Sequence, residues 1–279
     1  MANVRRINPD EWIPSGGGLF SETCFHKSNP TLMAKFMAGN TTEDDLLREI
    51  SRSQYAYRLG LPTPAPGELV SDGKRLGIMF ERIVGKISYA RAIGEHPEEI
   101  DSLAREFAQT AKILHSTPCD TKAVPSVKQI YERSIRRNEF RGEKVVKRAL
   151  DFLYSLPDVA YCLHGDLHFG NMIKAGGKTY LIDLVNLCWG PSLVDFGMIP
   201  SLLSFGKVAP EEFFRNYHCT PEQAAKFWLS FLKAYFGEET DLNLKQKEIQ
   251  PYVAIRAIAS EGEAGFYVPS SDVDEVFGS

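Results

Sequence analysis

Apolar residues recur along this chain with two periods, and the period changes partway. Between residues 15 and 83 they form short runs broken by Gly, Pro, Asn and Asp, as strands and turns require. Residues 19–26 and 31–37 read as two strands around an Asn29-Pro30 turn, and residues 67–70 and 75–83 as two more around Ser71-Asp72-Gly73-Lys74. One helix interrupts them. Leu46, Ile50 and Ser53 recur near helical spacing, and Thr42, after Asn40 and Thr41, stands at capping-box spacing from Asp45. Leu59-Gly60, with Pro62 and Pro64 beyond, closes that helix.

From residue 98 the pattern turns helical: Leu103, Phe107, Ala111 and Leu114 share a face with Ala104 and Ala108. Residues 127–138, 143–155, 193–203, 210–217, 221–236 and 251–261 read as further helices, the last three each opening on proline at a first-turn position. A β segment sits among them. The apolar run Tyr161, Cys162, Leu163 leads to short strands at 172–173 and 179–182 around Gly176-Gly177, a hairpin whose connection, 174–178, is longer than the tightest turns. There is no internal repeat and no low-complexity stretch.

Composition narrows the class. The chain has 279 residues, 43% apolar and 24% charged, with a formal net charge of −4, ordinary for a soluble protein able to bury a large core. Its densest basic stretch, 133–147, is mixed with Glu139 and Glu143 and reads as a solvated helix face, so no nucleic-acid partner is expected. Residues 1–14 carry two arginines without an apolar core, and nothing approaches a membrane span. Five cysteines, an odd number without paired spacing, are expected as reduced thiols in a cytoplasmic protein.

The chemistry concentrates in His164-Gly165-Asp166-Leu167-His168-Phe169-Gly170-Asn171, followed twelve residues later by Asp183. Phosphoryl transfer needs a carboxylate near the attacking hydroxyl and oxygen ligands for magnesium. This spacing supplies them, with Asp166 as base and Asn171 and Asp183 on the metal, the hairpin holding Asn171 at its start and Asp183 at its end. The motif resembles the catalytic loop of the aminoglycoside phosphotransferase and choline kinase families, which share the protein-kinase-like fold. In those families a His stands two residues after the catalytic Asp, and His168 matches it.

The resemblance covers roughly residues 15 to 200 and implies an α+β, two-lobed architecture. A small β-rich N-lobe, residues 1–83, would bind the nucleotide; a larger, mainly helical C-lobe, residues 84–279, would carry the catalytic loop and the acceptor site. In the first lobe it implies that Gly17, Gly18 and Ser21 lie at the phosphates, and that Lys35 holds the α- and β-phosphates and pairs with Glu49, with Glu43 the alternate. Phe80 would lie behind the adenine, and the backbone of Glu81 and Ile83 along its edge. Backbone recognition leaves ATP as the expected nucleotide with GTP open. Asp195 matches an Asp that receives hydrogen bonds from the catalytic-loop backbone.

Three other readings fit the sequence less well. His164 and His168 as metal ligands lack further His or Cys to complete a shell. A non-catalytic nucleotide-binding regulator would be marked by loss of Lys35, Asp166, Asn171 or Asp183, and all four are present. A protein kinase would need a longer segment between Asp183 and Asp195. The expectation is therefore a magnesium-dependent kinase for a hydroxyl of a small molecule, with the oligomeric state open. Glu261 and Glu263 would suit a polycationic acceptor, and Trp228, Tyr235 and Tyr267 a quaternary ammonium.

Overall fold

The structure is a computed structural model that describes residues 4–18, 21–37, 42–265, 268 and 270–278. Leu19, Asn40, Thr41 and Tyr267, which figure in the expectations above, lie outside the described residues. The chain divides into two compact units: residues 1–87 with 172–186, and residues 88–171 with 187–279.

The first unit holds a six-stranded sheet, β1 (Arg5–Arg6), β2 (Trp12–Gly18), β3 (Ser21–His26), β4 (Leu32–Met37), β5 (Pro66–Ser71) and β6 (Leu76–Glu81). Its order is β1-β5-β6-β4-β3-β2, antiparallel except where β1 runs beside β5. Helix α1 (Glu43–Arg58) connects β4 to β5. Thr42 caps it as the spacing predicts: its hydroxyl accepts the Asp45 N–H at 3.3 Å, and the Asp45 carboxylate accepts the Thr42 N–H at 3.1 Å.

The period of two sorts the sheet's side chains between two faces. Ile7, Trp12, Cys24, Ala34, Phe36, Val70 and Met79 form one cluster; Leu69 and Ile78 join Leu46 and Ile50 of α1 in another. Ala34 and Phe36 thus flank Lys35 but belong to the opposite face, which leaves Lys35 directed to the α1 side, opposite Ile78 in register.

Two elements differ from the sequence expectation here. The Gly16, Gly17, Gly18 run, which precedes the first expected strand, is the end of β2 and pairs with Thr23, Glu22 and Ser21 after a register shift at Pro14. Ladder hydrogen bonds need only backbone, so the absence of side chains hid the strand. The hairpin is also tighter than expected. Its strands run Met172–Ala175 and Lys178–Leu181, leaving Gly176 and Gly177 alone as a two-residue turn with φ of 55° and 74°. Both positive values are what a primed hairpin turn demands and what glycine permits. The hairpin is tied into its unit by the Leu181 N–H, which donates to Pro62 O at 2.7 Å, and by Arg52, which donates to Val185 O.

The second unit is mainly helical: α2 (Tyr89–Glu95), α3 (Ile100–Ser116), α4 (Val127–Arg136), α5 (Glu143–Ser155), α6 (Met198–Val208), α7 (Pro210–Tyr217), α8 (Pro221–Phe236), α9 (Leu242–Ala264) and α10 (Ser271–Phe277). A short ladder pairs Cys162 with Trp189 and Leu163 with Cys188. On α3, Phe107 meets Phe227 and Phe231 of α8 edge-on, at centroid distances of 5.3 and 4.9 Å. Tyr131, Ile135, Ala149, Leu153, Ile255, Ile258 and Phe277 build a second cluster joining α4, α5, α9 and α10.

Helix α9 corrects the expectation of a helix opening at Pro251. It starts nine residues earlier, where Asp241 accepts the Asn243 and Leu244 N–H groups, and Pro251 lies inside it. Proline removes the bond to the carbonyl four residues back. That residue, Lys247, is exposed, so water can satisfy the carbonyl. No helix among the described residues is long and apolar enough to cross a membrane.

Candidate functional site

In the first unit, the fold brings three of the expected residues together. Glu49 shares the buried stripe of α1 with Leu46, Ile50 and Ser53 and is 3% exposed. Lys35 Nζ lies 2.8 Å from Glu49 Oε1 and 3.2 Å from Asp183 Oδ1. Glu43, the alternate partner, stands in the first turn of α1. Burial works against the charge on Lys35, but Asp183 and then Glu49 outweigh it and hold the ammonium above the ordinary lysine value. Burial pushes Glu49 upward against the pull of Lys35. The Asp183 side chain is far more open, at 42% exposure, and its backbone sits at φ 61°, a left-handed conformation that Asp tolerates better than most residues.

The other expected nucleotide residues are in the same unit. Gly17, Gly18 and Ser21 lie where β2 and β3 pair, on either side of the undescribed connection. Phe80, half-buried, packs against the Leu46, Ile50, Leu69 and Ile78 cluster. Glu81 is exposed; its N–H donates to Ala65 O at 2.8 Å, and its carboxylate accepts the Ala65 N–H at 3.0 Å. Ile83 is half-buried just past the end of β6.

In the second unit, Asp195 clamps the start of the catalytic loop. Its two carboxylate oxygens accept the His164 N–H at 2.7 Å and the Gly165 N–H at 2.8 Å. A residue outside the expected site completes the clamp: His115, in the last turn of α3, is buried with Nε2 3.0 Å from Asp195 Oδ2 and Nδ1 2.9 Å from the Tyr235 hydroxyl. Farther along, Asn171 Nδ2 donates to both Asp166 O and Asp166 Oδ2 at 3.0 Å. His168 Nδ1 accepts the Gly170 N–H at 3.0 Å, while its Nε2 is 3.9 Å from Asp166 Oδ2.

Asp166 also meets a residue missed in the sequence. Arg256 of α9 places Nη2 3.2 Å from Asp166 Oδ1. Burial raises the affinity of Asp166 for a proton, but the charges of His168, Arg256 and His164 and the Asn171 hydrogen bond prevail and hold it below the ordinary carboxylate range. The signal for Arg256 was available: one guanidinium inside Val253, Ala254, Ile255, Ala257, Ile258 is a buried charge, and buried charges have partners.

The acceptor-side suggestions change. Glu261 is fully buried and consumed: it accepts from Arg141 at 2.8 and 3.0 Å, from Asn138 at 2.7 Å and from the Val268 N–H. It has no oxygen to offer a polycation. Trp228 and Tyr235 pack on Phe196 within the aromatic core, at centroid distances of 6.1 and 4.9 Å, and do not form an open cage. As for a histidine metal site, among the described residues the one converging group of potential metal ligands is the exposed His96, Glu98 and Glu99, away from the loop in sequence.

Comparison with known proteins identifies the fold and the family. No curated protein matches the chain in sequence. Among solved structures, the fold is similar to that of the amicoumacin kinase hAmiN, with TM-score 0.58 and 17% identity over 99% of this chain and 88% of that one. It is similar to a thermostable mutant of aminoglycoside phosphotransferase APH(4)-Ia, with TM-score 0.60 and 14% identity over 96% and 91%. A choline/ethanolamine kinase family protein from Mesorhizobium loti gives TM-score 0.58 and 13% identity over 96% and 85%. These likenesses establish the α+β kinase-like fold. The family model described as the phosphotransferase enzyme family matches residues 14–228, and this chain belongs to that family.

Proposed function

We propose that this protein is an ATP- and magnesium-dependent kinase that transfers the γ-phosphate to a hydroxyl of a small molecule. The observation that carries the reading is the setting of Asp166: a carboxylate with a partly open side chain, held by Asn171 in a loop whose backbone is clamped by Asp195. Such a carboxylate accepts a hydrogen bond from the acceptor hydroxyl and directs its oxygen for in-line attack. In a loose transition state, that orientation counts for more than early proton removal.

The remaining assignments follow the same reading. Residues 1–83 bind the nucleotide, and residues 84–279 carry the catalytic loop and the acceptor site. Lys35, fixed by Glu49, neutralises the α- and β-phosphates, and Gly17, Gly18 and Ser21 approach the phosphates through backbone. Phe80, Glu81 and Ile83 flank the adenine; because the Glu81 N–H is already donated to Ala65, the carbonyl of Glu81 takes that role. Asn171 and Asp183 fit magnesium by their chemistry. Both offer hard oxygen donors, since Asn171 spends its amide nitrogen on Asp166 and keeps its carbonyl oxygen. The ion, when bound, neutralises charge developing on the transferred phosphoryl group. His168 braces the loop through Gly170.

Relatives in fold support the nucleotide and the acceptor class. The hAmiN structure is a complex with AMP-PNP, Ca2+ and Ami, and a structure of APH(4)-Ia is a ternary complex with ADP and hygromycin B. The test is a screen of hydroxylated metabolites, sugars, choline and aminoglycosides for ATP consumption, repeated with Asp166→Asn. That variant is expected to keep MgATP affinity and stability while losing transfer by roughly two to four orders of magnitude. Single-turnover transfer at near wild-type rate in Asp166→Asn would remove Asp166 from the reaction.

A further inference from the structure

Resting on that reading, we propose that Arg256 is the positioning residue for Asp166, its guanidinium fixing the carboxylate in the orientation that receives the acceptor hydroxyl. Each carboxylate oxygen has its own donor: Arg256 Nη2 at 3.2 Å from Oδ1 and Asn171 Nδ2 at 3.0 Å from Oδ2. Two anchors fix the carboxylate plane, where Asn171 alone would leave it free to turn about the Oδ2 contact. His168, with Nε2 3.9 Å from the same Oδ2, is close enough to draw an unanchored carboxylate toward itself.

The guanidinium is itself held on several sides. Arg256 Nε lies 3.2 Å from Met198 Sδ, the Tyr131 hydroxyl bonds to it, and Nη1 is 3.9 Å from Glu263. Glu263 is half exposed, so pairing with it does not explain why the arginine side chain is buried to 8% exposure. Contact with Asp166 does.

The helix that delivers Arg256 is seated with little tolerance. A Cβ on Gly197 would come within 2.4 Å of Tyr252 O and 3.2 Å of Arg256 Cβ, and one on Gly262 within 1.8 Å of Ser134 O. These two glycines let α9 approach the 192–197 segment and α4 by backbone. Glu261, which accepts hydrogen bonds from Arg141 and Asn138, ties the same helix to the chain just past α4. A displacement of about 1 Å at a reacting group is enough to cost roughly 100-fold in rate.

The experiment compares Arg256→Gln, Arg256→Lys and wild type, each also with Asp166→Asn. Thermal unfolding, MgATP affinity by calorimetry, transfer to the acceptor found by the screen and crystal structures are measured. Arg256→Gln is expected to lower kcat about 10- to 100-fold with MgATP affinity nearly unchanged, and Arg256→Lys to recover part of the loss. In the Asp166→Asn background, Arg256→Gln should cost nothing further. The crystal structure of Arg256→Gln should show Asp166 Oδ1 moved from its place, and that of Arg256→Lys should show it retained. Arg256→Met, which keeps the alkyl packing, replaces the Gln variant if the latter fails to fold. An unmoved Asp166 in the Gln or Met structure, or equal losses with and without the Asp166 carboxylate, overturns the proposal. The structures need no turnover, so they decide the role of Arg256 even where failure of wild type to bind MgATP or phosphorylate any acceptor refutes the kinase reading.

Discussion

Lys35 stands between two carboxylates in contrasting surroundings, Glu49 almost sealed from water and Asp183 open. The closed side holds the ammonium in place, and the open side keeps a carboxylate within reach of a ligand. Removing Lys35 strands Glu49 among apolar neighbours, so Lys35→Met is expected to destabilise the protein by about 3–5 kcal/mol. In turnover, Lys35→Met and Glu49→Gln are expected to be non-additive, because either change misplaces the same phosphate contact. A double-mutant cycle measures this, and full additivity would separate Glu49 from the site. Lys35 and Glu49 were legible because each lies on an element whose period is plain: strand alternation turns Lys35 away from Ala34 and Phe36, and helical spacing puts Glu49 with Leu46 and Ile50. The partners of Arg256 and His115 were not, because they lie 90 and 80 residues away in sequence and neither position belongs to a local motif.

Elements were legible where their ends carry local chemistry and obscure where they do not. Thr42 and Asp45 announce the start of α1, and Gly176-Gly177 announces the hairpin, whose strands simply run farther into the turn than the apolar residues do. Helix α9 opens with LNLKQKEIQ, too sparse in apolar residues to display a face, and Pro251 looked like a beginning because proline favours the first turn. Its seating depends on contacts that no sequence pattern encodes. Gly262→Ala is expected to cost about 1–3 kcal/mol or more, since the new methyl meets backbone at Ser134 and the helix itself must shift. Thermal or urea unfolding reads the loss directly. A wild-type midpoint in Gly262→Ala would mean that α9 and α4 are not packed as closely as described.

At the scale of the molecule, all five cysteines are buried and unpaired by disulfides, which agrees with the odd count and irregular spacing in the sequence. Burial pushes the Cys219 thiol up to about 12 and raises Cys24; Cys162 is raised first by its hydrogen bond with Cys119 and then by burial. Since the thiolate is the reactive form, a thiol reagent at neutral pH should label the native protein more than tenfold more slowly than a free thiol and reach all five sites only on unfolding. Rapid labelling of any one cysteine in the native state would contradict this burial.

The chain leaves the first unit after residue 87 and returns to it only for residues 172–186. A growing polypeptide therefore cannot finish its first unit first. With Leu181 still to meet Pro62, and Asp183 to meet Lys35, the first unit waits while the whole of the second unit's first segment is made. At roughly 5–20 residues per second the delay is on the order of 5–20 s. Throughout it, the nascent unit lacks its hairpin, and Lys35 has Glu49 but not Asp183 beside it. Translation speed between codons 87 and 183 thus bears on how long an incomplete first unit stays exposed to chaperones and proteases.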